Sequence, residues 1–83
     1  MTAHQQQLVA AILADLALLD GGLKAEALLY AGVRGVVNPS PTYSDFTAAL
    51  RWCESHHWVD GILGDYDVTK WGITDLGLLK HRR

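Results

Sequence analysis

Three side chains with metal-binding chemistry crowd one stretch of the chain: Cys53, His56 and His57. Cys53 and His57 stand four residues apart, a spacing that puts two ligands on one helix face. A closed zinc site takes four ligands and carries a second pair at comparable spacing. The sequence holds no such pair, so the reading assigns no metal and no cofactor. Cys53 is then a small buried hydrophobe, and His57 shares the core face of its helix and favours the helix dipole at the end. The carboxylates are scattered without a spacing suited to acid–base work, no glycine-rich loop follows a strand, and no histidine-directed nucleophile is visible. An enzyme is not expected.

A second set of residues could hold nucleic acid. Ser44, Thr47 and Arg51 fall on the outer face of a helix expected over residues 41–57. An arginine there can take guanine through two parallel hydrogen bonds, and the hydroxyls suit base edges or backbone. Thr42 and Tyr43, at the helix start, could hold a phosphate against the free amides. Lys70 in a following hairpin, Arg34, and the basic end Lys80, Arg82 and Arg83 are further phosphate candidates. A third set, Trp52, Tyr66 and Trp71, offers aromatic anchors for a protein partner instead. Strand alternation groups Trp71 with Thr69 and Ile73, and this favours packing inward.

Composition bounds these choices. The chain has 83 residues, which suits one domain with one core, and 49% of them are apolar. Net charge is −2, so no basic excess announces nucleic acid. The single cysteine cannot form an internal disulfide, and a cytoplasmic setting is expected. The longest apolar stretch, Leu8 to Leu19, contains Asp15 and is too short to cross a bilayer, so no membrane partner is expected.

The elements follow from periodicity and caps. Helix one is expected over 4–19, with Leu8, Val9, Ile12, Leu13, Leu16 and Leu19 inward. Its other side is alanine-rich and is the candidate homodimer surface. Asp20-Gly21-Gly22 ends it. Helix two is expected over 23–31 with Leu23, Ala27, Tyr30 and Ala31 on one face, while Lys24 and Glu26 point away. A connection rich in glycine and proline follows, in which Val36-Val37 could pair as an edge strand. Ser40 or Thr42 caps helix three, which buries Phe46, Ala49, Leu50 and Cys53. A wing over 59–73 turns at Gly64-Asp65-Tyr66-Asp67, and a last helical turn capped by Thr74 leads a basic tail over 74–83.

Three helices, a hairpin and a closing Ile73-Thr74-Asp75-Leu76-Gly77 segment resemble the small winged helix-turn-helix domains of bacterial and phage regulators. The stretch Ala49-Leu50-Arg51-Trp52 through Trp58-Val59 is similar to a recognition helix entering the first strand of a wing. The fold class expected is mainly α with a small antiparallel hairpin, a three-helix core plus wing. The resemblance implies a transcriptional regulator that reads the major groove of double-stranded DNA with helix three, working as a two-fold dimer. Two features depart from that pattern. The connection over 32–41 is long for a helix-turn-helix, and Asp60, Asp65 and Asp67 lie where a DNA-binding wing would carry cations. The alternative is a protein-interaction module, an adaptor or inhibitor on the same scaffold. Convergence of Arg51, Lys70 and Arg82 on one face favours DNA; a neutral or acidic face with exposed tryptophan favours protein.

Overall fold

The computed structural model describes residues 1–19 and 21–83. Asp20, read above as part of the end of helix one, lies outside the described residues. The described residues form four α-helices and a small three-stranded antiparallel sheet, in the order α1 (Ala3–Ala17), β1 (Lys24–Ala25), α2 (Glu26–Arg34), α3 (Tyr43–Ser55), β2 (Val59–Leu63), β3 (Thr69–Ile73) and α4 (Asp75–Arg82). The strands lie in the order β1-β3-β2. None of the helices described is long and apolar enough to cross a membrane.

α1 starts earlier than periodicity suggests because Thr2 and Gln5 form a reciprocal cap. The Gln5 amide donates to the Thr2 hydroxyl at 3.1 Å, and the Thr2 amide donates to Gln5 Oε1 at 2.8 Å. Its inward face is as expected: Leu8, Val9, Ile12, Leu13 and Leu16 are buried. They meet Leu29 and Val33 of α2, Phe46, Leu50 and Cys53 of α3, and Val59 and Trp71 of the hairpin in one core.

Helix two differs from its expected form. Lys24 and Ala25 are not helical; they pair with Trp71 and Lys70 and close the inner edge of β3. Backbone pairing across the fold outweighs the helical preference of two residues. α2 therefore starts at Glu26, and its buried face is Leu29 and Val33, while Ala27 and Ala31 are exposed. Val36 and Val37 form no strand: both amides return to the Val33 carbonyl in a turn, and Val37 alone is buried. The Asp15 carboxylate holds Lys24 Nζ at 3.0 Å, so Lys24 faces α1.

α3 is capped by Thr42 rather than Ser40, with the Asp45 side chain returning to the Thr42 amide. Phe46, Ala49, Leu50 and Cys53 are buried as expected. His57 corrects the sequence reading, being exposed and outside the helix. The helix ends in a Schellman turn, in which the His57 amide donates to the Glu54 carbonyl and the Trp58 amide to the Cys53 carbonyl. This puts His57 at φ 60°, a conformation that suits glycine. His57→Gly is expected to stabilise the fold by about 1 kcal/mol, read as a raised denaturation midpoint; a lowered midpoint would count against this turn.

The hairpin sets Val59 opposite Ile73 and Leu63 opposite Thr69. α4 runs past the expected single turn, so Lys80, His81 and Arg82 are its last turn and complement the helix dipole. The Thr74 hydroxyl accepts the Gly77 amide at 3.0 Å and donates to the His57 carbonyl. Gly77 is pressed against the Trp58 backbone, where a Cβ would lie 2.1 Å from the Trp58 carbonyl oxygen. The Ile-Thr-Asp-Leu-Gly segment is thus the joint between hairpin and α4.

Candidate binding surfaces

Arg51 and Lys70, two of the cations proposed from sequence for DNA, do not share a face. On α3, the Thr47 hydroxyl donates to the Ser44 carbonyl, and the Thr42 hydroxyl serves the helix cap. The Tyr43 hydroxyl donates to the Glu26 carboxylate. That bond, with burial and the negative charge of Glu26, holds the Tyr43 phenol above its ordinary pKa. Arg51 Nη1 meets Glu54 Oε1 at 2.9 Å, and the guanidinium lies 5.9 Å from the centre of the Trp71 ring.

Lys70 follows a different direction. It neighbours Trp71 on β3, so the two side chains leave opposite faces of the sheet, and Arg51 lies on the Trp71 side. Arg82 and Arg83 are exposed at the end of α4, while Arg34 lies over Tyr30, its guanidinium 5.3 Å from the ring centre.

Trp71 corrects the set of aromatic anchors. It is 1% exposed, covers Gly61 across the hairpin, and donates its indole N–H to Glu26 Oε1 at 3.0 Å. Glu26, read from sequence as pointing away, therefore ties α2 to both β3 and α3. Trp52 and Tyr66 are exposed.

Two surfaces remain. The first is the wing tip, where Leu63, Tyr66 and Val68 are exposed beside Asp65 and Asp67, with Ile62 exposed one step back opposite Lys70 and Asp60 nearer the base opposite Gly72. Tyr66 is 98% exposed, and with Asp67 it takes φ 58° in the turn closed by the Val68 amide on the Asp65 carbonyl. An aromatic residue in that left-handed conformation costs about 1–2 kcal/mol relative to glycine, and the result is a side chain held out from the tip.

The second surface is a groove of about 510 Å³ between α1, the end of α3 and α4. Val9, Ala10 and Leu13 floor it, and Trp52, Trp58, Lys80, His81 and Arg83 rise around it. His56 stacks on Trp58 with centroids 4.8 Å apart and touches Trp52 at 4.0 Å; Lys80 Nζ sits 5.3 Å from the Trp58 ring centre. The clue in sequence was the Trp52, His56, Trp58 spacing at a helix end, which reading His56 only as a ligand obscured. Ala10, exposed on the alanine side of α1, belongs to this groove, whereas Ala11 packs on the core and Ala14 and Ala17 are half-buried.

Cys53 and His57 do not share a face, since Cys53 is buried and His57 is not. Among the described residues no group of three or more His, Cys, Asp or Glu side chains could hold a metal ion. Burial pushes the Cys53 thiol up to about 12. The folded chain thus keeps this proton where the unfolded chain, with a thiol near about 8.5, releases it. Its contribution to stability is full below that unfolded value and is lost as the pH climbs toward 12. Cys53 should resist alkylation at about pH 8 until the fold opens; fast labelling in native conditions would contradict this.

Comparison of the chain with protein-family models, curated proteins and solved structures finds no match in any of the three.

Proposed function

We propose that the chain is a winged-helix domain acting as a protein-interaction module of adaptor type, binding rather than catalysing, in a cytoplasmic setting. The element order α1-β1-α2-α3-β2-β3-α4 and the strand order β1-β3-β2 support the scaffold, with β2 and β3 as the wing. The observation that carries the function is the wing tip: exposed Leu63, Tyr66 and Val68 around Asp65 and Asp67, with exposed Ile62 one step back. Such a tip repels phosphate and attracts a protein segment that is itself basic and apolar. Arg51, the one cation on α3, already serves Glu54. The face that would read DNA is therefore neutral to acidic.

A fluorescent peptide of alternating lysine and leucine tests this reading. It is expected to bind wild type and to lose about tenfold or more in affinity with an Asp65→Asn, Tyr66→Ser, Asp67→Asn variant. Equal binding to both would remove the wing tip from the account.

A further inference from the structure

We infer that the partner of the wing tip is a second copy of this chain, whose groove between α1, α3 and α4 receives it. This rests on the protein-interaction reading and adds the identity of the partner.

Charge is sorted along the chain in a way that makes it self-complementary. Residues 59–73 carry three carboxylates against one cation, Lys70, and the turn over 64–68 holds Asp65 and Asp67 with no cation, while residues 76–83 carry three cations, His81 and no acidic side chain. The fold sends these two segments to different places. The first forms the wing, with Tyr66 at its tip; the second supplies Lys80, His81 and Arg83 to the groove. Among the described residues lining that groove there is no Asp or Glu.

Shape agrees with charge. The groove, about 510 Å³, is large enough for a group of substantial size and is walled by two tryptophans, against which a tyrosine ring can pack edge or face. Asp65 and Asp67 flank Tyr66 in the turn, so a seated tyrosine brings both carboxylates toward Lys80 and Arg83. A chain cannot fill its own groove. Trp58 belongs to the groove wall and β2 leaves from it at Val59, so at about 3.3 Å per residue the tip stands about 15 Å away. Two copies can satisfy each other about a two-fold axis, each giving one wing and taking one, which closes the assembly without leaving an open end.

Sedimentation of the whole chain over a dilution series tests this. Wild type is expected to dimerise with increasing concentration at low salt, with a dissociation constant about tenfold or more weaker at high salt. A reversed wing (Asp65→Lys, Asp67→Lys) and a reversed groove (Lys80→Glu, Arg83→Glu) should each be monomeric with an unchanged circular dichroism spectrum. Mixed together they should form a heterodimer, because each then meets opposite charge at both contacts. A monomeric wild type that still binds the lysine–leucine peptide would overturn the second-copy assignment and leave the interaction reading intact. Loss of both would overturn both, and folded variants that fail to pair on mixing would overturn the assignment of wing to groove.

Discussion

Gly77→Ala is expected to destabilise the protein by about 3 kcal/mol, shifting the chemical denaturation midpoint sharply downward. An added Cβ would lie 2.1 Å from the Trp58 carbonyl oxygen, 2.9 Å from its carbonyl carbon and 2.7 Å from Ile73 Cγ1. Two of these three atoms are backbone, fixed by the Thr74 amide bond to the Trp58 carbonyl, and cannot swing aside as a flexible side chain would. α4 would have to lift, weakening the Thr74 cap and drawing Lys80 away from Trp58. The intrinsic preference of helices runs the other way, since alanine is favoured over glycine by about 1 kcal/mol inside a helix. The sign of the change therefore decides between packing and propensity. An unchanged or raised midpoint would show that α4 does not press on the hairpin as described.

Trp71→Ala should cost about 3–5 kcal/mol. The indole is 1% exposed, covers Gly61 and satisfies Glu26, so its removal opens a cavity and strips one donor from a carboxylate that ties three elements together. Trp71→Phe keeps most of the ring and should lose about 1–2 kcal/mol, chiefly the indole hydrogen bond. Denaturant titration followed by the remaining tryptophans measures both. A stable Trp71→Ala variant that bound partners poorly would restore Trp71 as an interface anchor and contradict its place in the core.

Local rules made some of this legible in the sequence. The inward positions Leu8 to Leu16 of α1, Phe46 to Cys53 of α3 and the position of the hairpin turn depend on spacing within one element, and each is found in the structure; spacing left Ser40 and Thr42 both open as the cap, of which Thr42 serves, and placed His57 on the core face, which it does not join. Features that depend on distant partners were not legible. β1 is two residues long and exists because Trp71 and Lys70 offer backbone partners more than forty positions away. Its formation delays the start of α2 and turns that helix so that Leu29 and Val33 face inward. Glu26 looked like a solvent-facing residue because its two partners, Tyr43 and Trp71, come from other elements.

The binding surfaces divide along the same line. Asp60, Asp65 and Asp67 announced an acidic wing in sequence; the exposed tip bears Asp65 and Asp67, and Asp60 lies near the base opposite Gly72. The groove joins residues from the first helix, the end of the third and the last, so only the fold brings Trp58 and Lys80 together. The basic end read as a tail beyond a single helical turn because its helical periodicity is short; as the last turn of α4 it has a fixed direction.

The most direct test of the protein-interaction reading is a titration of random-sequence duplex DNA at low and high salt, with an Arg51→Ala, Lys70→Ala variant alongside. The account predicts no binding at low salt that this variant abolishes, because α3 carries Arg51 alone against Asp45 and Glu54 and Lys70 leaves the opposite face of the sheet. Tight binding that weakens steeply with salt and vanishes in the variant would contradict it, placing phosphate on α3 and the wing.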